Sequence, residues 1–228
     1  MCEKYYHLSP YTYCGGDPVN RVDPEGLDWY SQQVRAPSTD ESGDFITLYK
    51  YTTAHSQEEL ERLGVDGTYL GEAVVLFEGS LNEKIGSDGT MKSDDAIPAA
   101  VTIYGINGED DIQQYVGLSV SSDPSIYPMI EPGEYKMRQQ QMSHSTYKDG
   151  GYNYLIMTME GNTKIPPVGG INKATKMHYI EGAFMHRTNF SGLAKYASEG
   201  CLVIDGRDWK LVDYQLGESQ NIYLKLTR

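Results

Sequence analysis

Cysteine is scarce in this chain, and that already narrows its chemistry. Its three cysteines are Cys2, Cys14 and Cys201. They are too few and too unevenly spaced for a disulfide framework, and without a Cys-x-x-Cys pair neither a zinc ribbon nor a thioredoxin-type site is expected. Basic charge is also short: 19 Lys plus Arg stand against 32 Asp plus Glu, a formal charge of −13. Such an acidic chain has no general footprint for nucleic acid or an anionic membrane. No run approaches the ~18 apolar residues a spanning helix needs, so membrane insertion is not expected. The opening Met1-Cys2-Glu3-Lys4-Tyr5-Tyr6-His7 has no apolar signal-peptide core, so export by a leader of its own is not expected.

What is present is globular and rich in turn residues. Apolar residues are 39% and charged residues 22%, which places the chain among folded domains rather than disordered ones. Nineteen tyrosines and 24 glycines favour strands and turns over long helices. Strand-like runs fall at 45–51, 72–77, 100–104, 115–120, 135–138, 154–160, 182–188 and 221–226. Turn signals separate them, including Asp66-Gly67, Asn107-Gly108 and Lys148-Asp149-Gly150-Gly151. Two short helices are expected. Ser56 with Glu59 reads as a capping box, with Leu60 and Leu63 on one face and Gly64 as the stop. A second runs from about Asp208 to Leu216 and ends at Gly217. The expected fold is therefore mainly β with one or two short helices.

The first 36 residues differ from the rest. Tyr5 to Leu27 is dense in aromatics and punctuated by Asp17-Pro18 and Asp23-Pro24, and Ala36 to Asp44 reads as a polar linker. The division is residues 1–36 as arm and linker and 37–228 as the principal domain. Ser9-Pro10-Tyr11-Thr12-Tyr13-Cys14 and Asn20-Arg21-Val22-Asp23-Pro24-Glu25-Gly26-Leu27 resemble the end of the Rhs-repeat-associated core of bacterial polymorphic toxins. That resemblance covers about a tenth of the chain. It implies that an irregular core remnant precedes a variable toxin domain.

The chemistry concentrates near the other end. His186 closes a strand-like run on which Phe184, His186 and Thr188 share a face. A glycine-containing loop follows, and Ser198-Glu199-Gly200-Cys201 leads into an apolar run. A cysteine nucleophile needs a base in reach, oxyanion donors and a partner that orients the base. His186 supplies the base if the loop reverses the chain. Gly200 permits an unusual backbone in which its amide and that of Cys201 face one point. Ser198 can bond the loop or the imidazole. The orienting acceptor is not legible; a backbone carbonyl would serve. The bland reading keeps Cys201 as a buried thiol and His186 as a core histidine.

The order His186, then Ser198-x-Gly200-Cys201, resembles the L,D-transpeptidase motif. Ile130-Glu131-Pro132-Gly133-Glu134-Tyr135-Lys136-Met137 resembles that family's Thr-Pro-x-Gly-x-Tyr/Phe turn and strand. The resemblance implies a β sandwich or barrel in which Cys201 attacks a peptidoglycan stem-peptide carbonyl, His186 deprotonates it, and Ser198 and Gly200 shape the loop. No cofactor or metal is implied. Two departures stand out. Val203 occupies a place where the family often has Arg or Asn, and Glu199 one where many members carry His. Arg187, Asn189 and Glu199 are then the substrate-side residues, with Glu199 read as facing solvent because an inward carboxylate would raise the thiol pKa. Together the two resemblances imply an antibacterial effector without its own signal peptide. It would be delivered by a type VI apparatus, would act in the target-cell periplasm, and would be matched by a cognate immunity protein.

Three rival readings stay open. One is a non-catalytic β domain that binds peptidoglycan or a partner protein. One is a cysteine peptidase or amidase, less supported because those families usually place Cys before His. The third is a zinc site on His186, Cys201 and Asp205, which lacks a closed ligand set. His178 is read as structural.

Overall fold

The computed structural model describes residues 27–36, 45–78, 98–119, 121, 127–140, 152–188 and 200–227. The expected arm up to Gly26 and the site candidates Asn189, Ser198 and Glu199 lie outside the described residues.

Alternation of apolar residues builds a closed eight-stranded barrel. Its strands are β4 (Ala73–Glu78), β5 (Ala99–Tyr104), β6 (Ile112–Leu118), β7 (Gly133–Gln139), β8 (Tyr154–Met157), β11 (Phe184–Arg187), β12 (Leu202–Ile204) and β13 (Ile222–Thr227). They close in the order β11-β12-β6-β5-β4-β13-β7-β8. Most neighbours are antiparallel, but β4 with β13 and β11 with β12 run parallel. Inward side chains form one continuous core: Ala73, Val75 and Phe77 from β4, Val101 and Ile103 from β5, Met137, Ile156, Met185, Leu202, Ile204 and Leu224. The fold is thus mainly β, as the composition implies.

On the outward face Val74 and Leu76 of β4 and Tyr223 of β13 are apolar too, because a second layer covers them. A three-stranded sheet joins β1 (Asp28–Arg35), β2 (Phe45–Thr52) and β3 (Thr68–Gly71) in the order β2-β1-β3. Trp29 and Leu70 pack on the outward Val74 and Tyr223. The Trp29 indole N–H donates to the Gly105 carbonyl at 3.0 Å. Residues 28–35 sit with the arm in the sequence-based division; in the structure they pair along the whole of β2 and belong to this sheet. Their polar Ser31-Gln32-Gln33 centre hides a strand whose anchor is a single buried tryptophan. Two two-residue strands, β9 (Lys164–Ile165) and β10 (Ile180–Glu181), form a separate ribbon.

Both expected helices are present. In α1 (Gln57–Arg62) the Ser56 hydroxyl accepts from Glu59 N–H at 3.2 Å, and the Glu59 carboxylate reaches back to His55 N–H at 2.8 Å. Leu60 is fully buried, but Leu63 is 56% exposed, because it falls at the C-cap where the helix ends rather than on a continuing face. In α2 (Trp209–Leu216), Trp209, Val212 and Leu216 join the barrel core, and Gly217 ends the helix at φ 51°. Among the described residues no helix is long and apolar enough to cross a membrane.

Candidate active site

β11 and β12 are neighbours in the barrel and run parallel. Their register pairs Met185 with Leu202, His186 with Val203 and Arg187 with Ile204. Met185, Leu202 and Ile204 point into the core. His186 and Val203 therefore take the outer face. One step back in the same register Cys201 falls beside Phe184, and the two pack together with Leu155 and Met157 on the outside of the barrel. His186 and Cys201 thus share a face as diagonal neighbours on adjacent strands. Such positions lie ~7–8 Å apart along the backbone, within reach of a long side chain.

Each partner suits the chemistry expected of it. Cys201 is a thiol of intermediate exposure. His186 is buried, and its Nδ1 lies 2.9 Å from the main-chain oxygen of Arg187. A carbonyl can only accept, so Nδ1 carries the proton and Nε2 presents its lone pair. Burial holds the His186 pKa below the ordinary imidazole value, opposed by that carbonyl bond. The ring is neutral near neutral pH, which a general base requires. The orienting acceptor that the sequence left open is a backbone carbonyl one residue away.

Gly200 enters the same strand with φ +125°, and a Cβ there would stand 2.9 Å from the Pro128 carbonyl oxygen. Both the dihedral and the space demand glycine. Ile130, at the head of the Ile130 to Met137 segment, is buried and bridges to Pro167. The Tyr135 hydroxyl donates to the Glu131 carbonyl at 2.6 Å, and Gly133 begins β7.

Arg187 is not brought beside this pair. Alternation turns it to the opposite face of β11, where it is buried and its charge opposes the raised pKa of Asp213 on α2. Burial pushes the Asp213 carboxyl up to about 6. Asp205 is buried past the end of β12 and accepts from the Arg207 guanidinium and backbone N–H. Among the described residues no group of three or more His, Cys, Asp or Glu is placed to hold a metal ion. His178 is exposed, with Nδ1 2.8 Å from the Gly170 carbonyl oxygen. Searches against protein-family models, curated proteins and solved structures found no match.

Proposed function

We propose that the folded domain, with β1 included, acts as a cysteine acyl-transfer domain of the L,D-transpeptidase type on peptidoglycan stem peptides, carried as the toxin of an Rhs-type effector. The observation that supports this is the placement of Cys201 and a neutral, carbonyl-oriented His186 on one face of parallel strands. His186 Nε2 takes the proton of Cys201 Sγ, and the thiolate attacks the stem-peptide carbonyl. Gly200 and Cys201 supply the amides this reading assigns to the oxyanion. Collapse expels the amine, which leaves with the proton held on His186, and a thioester remains. Water or a second amine then cleaves the thioester and restores the thiol. Ser198, Asn189 and Glu199 keep their proposed places on the loop and the substrate side. Arg187, buried on the other face of β11, has no geometric support as a substrate contact.

The Rhs-like segment favours delivery into a competitor, action in its periplasm and protection of the producer by an immunity protein. Packing of Cys201 against Phe184 favours the alternative, a binding domain with a structural thiol. Mass spectrometry of muropeptides incubated with the protein and with Cys201→Ala separates the two. Loss of a terminal D-alanine, or a new L,D-crosslink, that vanishes in the variant supports the enzyme. Identical muropeptides in both samples favour the binding domain.

A further inference from the structure

The face that carries His186 and Cys201 holds a third polar side chain outside the chemistry above. Asn153 is fully buried, and neither Oδ1 nor Nδ2 has a hydrogen-bond partner. Its backbone is anchored, because Gln140 N–H donates to the Asn153 carbonyl at 2.8 Å. The β8–β11 register pairs Leu155 with Phe184 and Tyr154 with Met185. The next position sets Asn153 directly across from His186. Alternation agrees: Tyr154 and Ile156 enter the core, while Leu155 and Met157 pack with Phe184 and Cys201 outside it. Directly paired side chains have Cβ atoms ~4.5–5.5 Å apart, a separation that an amide and an imidazole can bridge.

A buried carboxamide with both ends unpaired is costly in a resting fold. On the imidazole opposite, Nδ1–H is committed to the Arg187 carbonyl, so Nε2 is the ring atom that takes up a proton. A neutral Nε2 can only accept, and the carboxamide can meet it with Nδ2–H. A protonated Nε2 donates, and its charge-assisted bond to Oδ1 is the stronger of the two.

We propose that Asn153 is a positioning residue whose Oδ1 accepts the Nε2–H of His186 once the ring has taken the Cys201 proton, so that the thiolate–imidazolium pair is held ready for attack. The inference rests on the Cys–His reading above. The proton passes from Sγ to Nε2, and no other bond changes in this step. Among the described residues, the titratable groups on or beside the strands flanking His186 are Cys201 before β12, Asp205 after it and Tyr154 of β8, whose ring enters the core on the other face. Asp205 is engaged by Arg207. On β8, Asn153 and Leu155 bring no charge, and Arg187 lies on the other face of β11.

The test is the rate of iodoacetamide alkylation against pH in the full chain, read at the Cys201 peptide because Cys2 and Cys14 are also present. Wild type is compared with His186→Gln, Asn153→Leu and Asn153→Asp. Asn153→Leu removes two unpaired polar atoms from a buried site, so its melting temperature should hold or rise. Its alkylation at neutral pH should fall about tenfold, with the profile displaced to higher pH. Asn153→Asp, with a stronger acceptor, should displace the profile the other way. A profile altered by His186→Gln but untouched by both Asn153 variants overturns the inference and leaves the Cys–His reading standing. A profile that His186→Gln also leaves unchanged overturns both.

Discussion

Val203 lies directly across the parallel β11–β12 ladder from His186, and this pairing sets Cys201, two residues earlier, on the imidazole's face. Had β12 slipped by one residue, the thiol would point into the barrel core with Met185, and Leu202 and Ile204 would turn outward. The register is held by those core residues and, beyond the strands, by Thr188 N–H donating to Ile204 O and Gly206 N–H donating to Thr188 Oγ1.

The burial of His186 predicts a pH signature in stability. Its pKa is lowered in the fold, so the unfolded chain binds the proton more tightly. Above the ordinary value of 6.5 the group contributes nothing to the pH dependence. As pH falls below 6.5 toward the lowered folded value, stability is lost. Urea midpoints measured down through this range should decline in wild type, and His186→Gln should remove that part of the decline.

Gly200→Ala should damage both fold and thiol. The φ of +125° costs about 1–3 kcal/mol for a residue with a side chain. The added methyl also meets the Pro128 backbone, which cannot swing aside as a side-chain tip would. The expected result is a melting temperature lower by several degrees, about 2–4 °C per kcal/mol at this size. Alkylation at Cys201 should slow as well, since the turn entering β12 is displaced. Unchanged melting and reactivity would contradict the assigned backbone.

Trp29→Phe keeps an aromatic ring on Val74 and Tyr223 but deletes the indole donor to Gly105 O. A buried carbonyl left without its partner costs about 1–3 kcal/mol. The denaturant midpoint should drop accordingly, while Cys201 alkylation should keep its pH profile because the ring lies away from that face.

Truncation separates two placements of the domain's beginning. A chain starting at Asp28 keeps β1 and should fold. A chain starting at Pro37 loses β1, uncovers Val74 and Tyr223, and leaves β2 without its partner. Circular dichroism and melting should show a cooperative transition for the first and a weakened or absent one for the second. Equal stability would restore the division at residue 36.

The local signals in this chain act over a few residues, and those were readable. The strand-like runs at 72–77, 100–104 and 221–226, which fall on β4, β5 and β13 with ends shifted by one residue, the Ser56–Glu59 cap and the Gly217 stop depend on neighbours within one turn or one pleat. His186 and the Gly200-Cys201 pair could be singled out because the chemistry of a nucleophile restricts residue type. Pairing is different, since the partner of a strand is chosen by the whole barrel. The parallel β11–β12 ladder, the inward turn of Arg187 and the inclusion of residues 28–35 in the outer sheet each depend on side chains far away in the chain. Asn153 is the sharpest case. In Gly150-Gly151-Tyr152-Asn153-Tyr154 it reads as the tail of a turn, and nothing local marks it. Only the β8–β11 register sets it opposite His186, because a hydrogen-bonded ladder transmits position between strands with no trace in the sequence of either one.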